Sequence, residues 1–185
     1  LAGVSEMLMQ LMMNPDFANR LMDKCMVTAK DFAKAQIEAG CEIIGMGDAV
    51  CSQIDTETYN QFVKERHREL IDFIHSLGGK IKLHICGDTN HLLASYADLN
   101  LDILDLDWQV DIDEARNVLG KNVILGGNIN PVLVQDKTEE EVFQLSCNLV
   151  EKYKNERFLL SAGCEITVLT PHKNLKAMSE ASKMI

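Results

Sequence analysis

The sequence predicts an α/β protein in which five parallel strands alternate with helices. Short apolar segments recur along the chain, stretches with helical spacing separate them, and each unit takes about 25 to 45 residues. Such alternation is typical of parallel sheets with right-handed crossover connections. The segments predicted as strands are CEIIGMGDA, KIKLHICG, LDILDLDW, NVILGGNI and RFLLSAGCEI.

Helices are predicted between and around these strands. Pro15 begins a long helix at its first turn, and Gly40 ends it. A further helix is predicted from Thr56 to Gly78, with Asp55 or Thr56 as its N-cap. Other stretches with helical spacing are SEMLMQLMMNP, NHLLASYADLN, DIDEARNVLG, KTEEEVFQLSCNLVEKY and PHKNLKAMSEASKM.

Two architectures fit this order: an open doubly wound sheet, or part of a (β/α)₈ barrel. Polar and glycine-rich residues follow all five strands, in GDA, HICGD, DLDW, GGN and AGCE. A ring of such strand ends favours the barrel, and the GxGxxG and GxxxxGK[ST] nucleotide motifs do not occur in the expected places. We therefore expect residues 1–185 to form a single domain, the C-terminal five strands of a (β/α)₈ TIM barrel whose first strands precede this sequence.

The composition excludes several classes of partner. Acidic residues outnumber basic ones 28 to 18, and a net charge of −10 repels phosphate backbones, so no nucleic acid is expected. No apolar run approaches the roughly 20 residues of a membrane span. Six scattered cysteines indicate reduced thiols and a cytoplasmic location. Five strands alone would leave two sheet edges open, so we expect the missing N-terminal barrel half or a second copy of the chain to cover them.

The strand KIKLHIC carries the clearest candidate site. Side chains alternate along a strand, so the apolar residues of 81–85 share one face, and His84 and Cys86 project together from the other. Asp107 ends the next strand on its polar face, and Cys164 ends the last strand. Three strand ends thus offer an imidazole, two thiols and a carboxylate to one location.

Zinc is the metal that such a donor set suits. It is borderline-soft, accepts Cys, His and carboxylate ligands in a tetrahedron, and keeps one exchangeable position in catalytic sites. The alternative is a core histidine beside a buried thiol, because a His-x-Cys pair arises easily by chance and free cysteine is often buried.

The remaining candidates have weaker patterns. Asp48 in GMGDA lies at a strand end, where it is a candidate for substrate contact or, equally, for a helix or loop cap. The other thiols are interpreted as core or half-buried residues and the other imidazoles as surface residues: Cys25, Cys41, Cys51 and Cys147, and His67, His75, His91 and His172.

Longer stretches of the chain resemble the uroporphyrinogen decarboxylase superfamily. GDAVCSQIDTETYNQFVKERHRELIDFIHSLGGKIKLHICGDTN resembles its central block, and LDWQVDIDEAR, GGNINPV and TPHKNLKAM resemble later blocks. The resemblance covers essentially all 185 residues and implies a (β/α)₈ barrel of the uroporphyrinogen decarboxylase-like type.

Two branches of that superfamily differ at the candidate site. The decarboxylases usually carry a histidine in an LGHG-type segment, where this chain has SAGCE with Cys164. The zinc-dependent methyltransferase branch is marked by His-x-Cys and a distant third cysteine. His84, Cys86 and Cys164 match that pattern in type and order, and Asp107 stands where the branch often has a carboxylate. The resemblance therefore implies a zinc site at these residues.

The same resemblance implies a function. A methyl group would pass from a methylated corrinoid, held by a separate corrinoid protein docked over the strand ends, to a small-molecule acceptor such as the thiol of coenzyme M. Asn128 in GGNIN lies on the rim and is expected to help bind substrate. The alternatives are a metal-free tetrapyrrole decarboxylase and a non-catalytic corrinoid-binding fragment.

Overall fold

A computed structural model describes residues 2–184, which form five strands and nine α-helices. The strands are β1 (Ile43–Gly47), β2 (Lys80–His84), β3 (Ile103–Asp105), β4 (Ile124–Ile129) and β5 (Phe158–Ala162). The helices are α1 (Val4–Met13), α2 (Pro15–Glu38), α3 (Thr56–Phe62), α4 (Lys64–Ser76), α5 (Leu93–Tyr96), α6 (Ile112–Leu119), α7 (Pro131–Asp136), α8 (Glu139–Tyr153) and α9 (His172–Ala181). Two 3₁₀ helices span Ala49–Gln53 and Asn90–Leu92.

All five strands belong to one parallel sheet in which each strand pairs with the next one along the chain. A doubly wound sheet reverses its strand order at a switch point, whereas a barrel adds strands in sequence. The order β1-β2-β3-β4-β5 therefore confirms the barrel-type prediction over the doubly wound one. β1 and β5 are the two edges of the sheet that residues 2–184 build.

The predicted alternation of faces is present in β2. Ile81 and Leu83 have no exposed surface, whereas His84 lies half-buried on the other face. The apolar face packs against α4, whose Ile71 and Ile74 are also completely buried. Burial of this face contributes the main favourable free energy of folding here, and it leaves the opposite face for polar side chains.

The helix predicted from Thr56 to Gly78 is wrong in one respect, because it is interrupted at Val63 between α3 and α4. The Arg66 guanidinium donates a hydrogen bond to the carbonyl of Phe62 and competes there with the helical backbone ladder. The expected N-cap is present, since the Asp55 carboxylate accepts a 2.7 Å hydrogen bond from the backbone N–H of Thr58.

The helix predicted over NHLLASYADLN is shorter than expected, with one 3₁₀ turn followed by the four-residue α5. The six-residue helix α7 and the 3₁₀ helix at Ala49–Gln53 were not predicted. Within residues 2–184, no helix combines the length and the apolar character that crossing a membrane requires.

Candidate metal centre

The carboxyl ends of β2 and β5 bring His84, Cys86 and Cys164 together. The Sγ of Cys86 lies 3.3 Å from the Nε2 of His84 and 3.4 Å from the Sγ of Cys164. One ligand atom from each of the three residues lies within 4.8 Å of the other two, and all three side chains are half-buried. The three residues that the sequence pattern singled out therefore form one cluster.

The imidazole of His84 is oriented by the neighbouring strand. Its Nδ1 is 2.9 Å from the backbone carbonyl of Asp105, which can only accept, so Nδ1 carries the proton and Nε2 is left as a ligand atom. The carboxylate of Asp105 in turn accepts hydrogen bonds from Lys82 (2.9 Å) and Ser161 (3.0 Å). A Cβ at Gly126 would lie 2.9 Å from this carboxylate, so glycine makes room for it. Metal-bound histidines commonly donate their second ring N–H to a backbone carbonyl or a carboxylate, as His84 does here.

Asp107 lies beside the cluster but outside the group of three ligand atoms. One of its carboxylate oxygens accepts a 2.8 Å hydrogen bond from the backbone N–H of Gly87, and the other accepts one of 3.0 Å from that of Gln109. Asp107 thereby holds the turn that carries Cys86. Its role as a fourth ligand stays a prediction, and these hydrogen bonds do not exclude it, because a carboxylate oxygen can accept a hydrogen bond with one lone pair and bind a metal with the other.

Asn128 also lies next to Asp107. Its side-chain N–H₂ donates to the backbone carbonyls of Asp107 (3.0 Å) and Val110 (2.7 Å), which fastens the loop after β3 to β4. This contact supports the position of Asp107. A contact between Asn128 and substrate stays a prediction.

Cys164 is positioned by a close backbone approach between the loops after β3 and β5. The backbone N–H of Trp108 donates a 3.1 Å hydrogen bond to the carbonyl of Gly163, and the N–H of Gly163 donates a 2.8 Å hydrogen bond to the carbonyl of Ile129. A Cβ at Gly163 would lie 2.3 Å from the backbone nitrogen of Trp108. Glycine is therefore required immediately before Cys164.

The donor set fits a borderline-soft divalent ion such as zinc. For zinc–sulfur bonds near 2.3 Å and zinc–nitrogen bonds near 2.0 Å, a tetrahedron places a sulfur about 3.5 Å from the nitrogen and the two sulfurs about 3.8 Å apart. The two separations around Cys86, 3.3 Å from sulfur to nitrogen and 3.4 Å between the sulfurs, are a few tenths of an ångström shorter than these values, so the three ligand atoms would move slightly apart around a bound ion. Burial raises the pKa of Cys86 to about 11, with further contributions from its hydrogen bond to Cys164 and the charges of Cys164 and Asp107. Cys86 is then a thiol at neutral pH, and a bound cation would take the place of its proton.

Asp48 faces away from this cluster. Its carboxylate Oδ2 lies 3.3 Å from Nε2 of His67 in α4, and the Nδ1 of His67 lies 2.9 Å from the hydroxyl of Tyr59. Burial alone raises the pKa of Asp48, but the hydrogen bond and charge of His67, with further hydrogen bonds from Cys51 and the backbone of Val50, together bring the pKa below its ordinary value. A contact between Asp48 and substrate stays a prediction.

The surface assignment of His67 is wrong, because only 5 % of this residue is exposed. His67 lies three, four and seven residues before Leu70, Ile71 and Ile74, the spacing of one helix face, and this signal indicated its burial. The surface assignment is also wrong for His75, which is half-buried with its Nε2 2.8 Å from the carboxylate of Asp102. His91 and His172 are exposed, as predicted.

All six cysteines are free thiols. Cys51 is buried and Cys147 half-buried, which confirms the expectation for these two. The expectation is wrong for Cys25 and Cys41, which are exposed at the surface of α2 and in the loop that follows it.

The fold and the clustered ligand atoms define a barrel-type α/β protein with a candidate metal centre at the carboxyl ends of its strands. A family model described as uroporphyrinogen decarboxylase (URO-D) matches residues 1–185. The chain therefore belongs to the uroporphyrinogen decarboxylase family.

Its relatives within this family include two kinds of enzyme. Over 166 residues the chain is 31 % identical to the methylcobamide:CoM methyltransferase MtbA of Methanosarcina acetivorans, covering 88 % of the chain and 48 % of that protein. Over 176 residues it is 26 % identical to the uroporphyrinogen decarboxylase of Prochlorococcus marinus subsp. pastoris, covering 92 % of the chain and 49 % of that protein. The chain thus spans about half the length of the curated relatives it matches.

A solved structure has the same fold. The chain superposes on a methyltransferase from Methanosarcina mazei with a TM-score of 0.87 at 24 % sequence identity, and the match covers 98 % of the chain and 53 % of that structure. The five parallel strands therefore correspond to about half of a uroporphyrinogen decarboxylase-like barrel.

Gly163→Ala should destabilise the loop that carries Cys164. The added Cβ meets backbone rather than a flexible side chain, so we expect a loss of about 1–3 kcal/mol in the free energy of unfolding, measured by urea denaturation. Gly45→Ala in β1 is the matched control, because a Cβ there meets no atom within 4 Å. Equal stability of the two variants would contradict the close approach described above.

Cys86 and Cys164 should form a disulfide when the metal-free protein is treated with diamide. Their sulfur atoms already lie 3.4 Å apart, and the oxidant accepts the two hydrogens that the thiols lose. Peptide mapping by mass spectrometry should find the two cysteines linked within one chain, and Cys147→Ala should not change the yield. A link between any other pair, or none, would show that the two thiols are not adjacent.

Proposed function

We propose that the protein is a zinc-dependent methyltransferase that moves a methyl group from a methylated corrinoid, carried by a corrinoid protein, to a thiol such as that of coenzyme M. The observation that carries the proposal is the convergence of His84, Cys86 and Cys164 at the carboxyl edge of the sheet. Relatives named methylcobamide:CoM methyltransferase support it. When held by these three residues, zinc would lower the pKa of an acceptor thiol bound in the fourth position.

The protein's own residues orient the reactants. His84, fixed through Nδ1 by the carbonyl of Asp105, and the turn of Cys86, fixed by Asp107, keep the ligand atoms on the open side of the strand ends. In the proposed transfer the acceptor thiol releases its proton to solvent, its sulfur bonds to the methyl carbon, and the carbon–cobalt bond breaks with its electron pair left on cobalt.

Exposed apolar residues in the loops after β3 and β5 support a docked corrinoid carrier. Trp108 follows Asp107, and Val168 and Leu169 follow Cys164 in the loop after β5. These side chains are 45 %, 99 % and 79 % exposed, respectively. Large exposed apolar side chains in the loops that carry ligand residues are candidates for contact with a docked partner.

Tetrapyrrole decarboxylation is the second candidate, because relatives named uroporphyrinogen decarboxylase are similar to the chain at 26 % identity. That chemistry requires no metal, and it leaves the pairing of His84 with two cysteines unexplained. The cluster therefore favours the methyltransferase. The cytoplasmic location also stays a prediction.

Cys86→Ala and Cys164→Ala should each remove one zinc ion per chain, because two ligands hold a divalent ion far less tightly than three. Zinc content is measured after dialysis by inductively coupled plasma mass spectrometry. Cys147→Ala is the control variant, and its zinc content should be unchanged. Methyl transfer from methylcobalamin to a thiol should fall by more than about 100-fold in the two ligand variants.

Other outcomes distinguish the candidates. Zinc content unchanged in both ligand variants would exclude the metal centre. Decarboxylation of uroporphyrinogen that survives Cys86→Ala would assign the chain to the decarboxylases, and corrinoid binding without either reaction would indicate a binding module.

A further inference from the structure

A second group of metal-ligand atoms lies at the carboxyl end of β1. Asp48 follows β1, Cys51 belongs to the 3₁₀ helix Ala49–Gln53, and His67 belongs to α4. One ligand atom from each residue lies within 4.8 Å of the other two. Cys51 and His67 are buried, while the side chain of Asp48 is 35 % exposed and gives the group access to solvent.

This group lies on the helix-facing side of the sheet, opposite the first cluster. Asp48 continues the alternation of Ile44 and Met46, which are paired in register with Ile81 and Leu83 on the apolar face of β2. His67 shares the buried face of α4, the helix that packs on this side. The two clusters are therefore separate sites.

One distance within the group and one contact beside it match metal coordination. The 3.3 Å hydrogen bond between Nε2 of His67 and Oδ2 of Asp48 also has about the length of the edge between a nitrogen and an oxygen ligand in a tetrahedron around a zinc ion. The Nδ1 of His67 lies 2.9 Å from the hydroxyl oxygen of Tyr59, which can accept a hydrogen bond from Nδ1–H when Nε2 binds a metal. Metal-bound histidines commonly donate their second N–H in this way.

We propose that Asp48, Cys51 and His67 bind a second divalent ion of the class that zinc represents. One sulfur, one nitrogen and one oxygen ligand suit a borderline-soft ion and do not suit magnesium or calcium, which bind through oxygen. On binding, the Cys51 thiol releases its proton to solvent and its sulfur bonds to the metal, while water completes the coordination on the exposed side of Asp48.

The ion would fasten β1 and the 3₁₀ helix to α4. The backbone N–H of Asp48 also donates a 3.1 Å hydrogen bond to the carbonyl of His84. Ser52 of the 3₁₀ helix packs against Gly87, where an added Cβ would lie only 2.9 Å from the Ser52 hydroxyl oxygen. The second site thus supports the strand end that carries the first one. The proposal does not depend on the methyltransferase activity.

Zinc stoichiometry of the protein and its variants tests the second site. After loading with zinc and dialysis, we expect two ions per chain in the unaltered protein, one in His67→Gln, one in Cys86→Ala and none in the double variant. His75→Gln is the matched control, because His75 lies on the same helix and contacts an aspartate without a neighbouring cysteine. Cys51→Ser and Asp48→Asn repeat the test with closely isosteric side chains, and circular dichroism verifies folding.

Cobalt provides an independent readout. In the Cys86→Ala/Cys164→Ala background, added Co²⁺ should give a sulfur-to-cobalt charge-transfer band that Cys51→Ser abolishes. A zinc content that is equal in the unaltered protein and His67→Gln would overturn the proposal, as would the absence of the cobalt band. An ion lost in His67→Gln but retained in Cys86→Ala would instead support the second site and exclude the first.

Discussion

The parallel register between β2 and β3 is the constraint on which the candidate metal centre depends. It places His84 directly opposite Asp105, so the Asp105 carbonyl fixes the imidazole and leaves Nε2 free to bind a metal. The same register brings Asp107 beside the turn after His84, where its carboxylate holds Gly87. A shift of one residue would turn these side chains into the apolar layer under α4, so burial of that layer also fixes the geometry of the site.

The two faces of the sheet carry different chemistry at the same edge. On one face, His84, Cys86 and Cys164 form a cluster with two thiols. On the other face, Asp48, Cys51 and His67 form the second group at the end of β1. Zinc binding to the first cluster underlies the proposed methyl transfer, and the second group holds the neighbouring strand end in place. The backbone hydrogen bond from Asp48 to His84 connects the two.

The sequence was sufficient to predict the strands, their order and the three clustered residues, because strand alternation and the position of strand ends are local properties. It did not show that both oxygens of Asp107 are engaged by backbone N–H groups, since those contacts form only when the loops meet. The helical spacing of His67 indicates that it is buried. Its contacts with Tyr59 and Asp48 could not be predicted from the sequence. Side-chain networks of this kind depend on packing between elements that are distant in sequence.

The most direct test of the central claim is a crystal structure of the zinc-loaded protein with anomalous diffraction data collected at the zinc absorption edge. The account predicts an anomalous peak between Nε2 of His84 and the sulfur atoms of Cys86 and Cys164, about 2.0 to 2.3 Å from each. A zinc-loaded crystal with no anomalous density among these three atoms would contradict it.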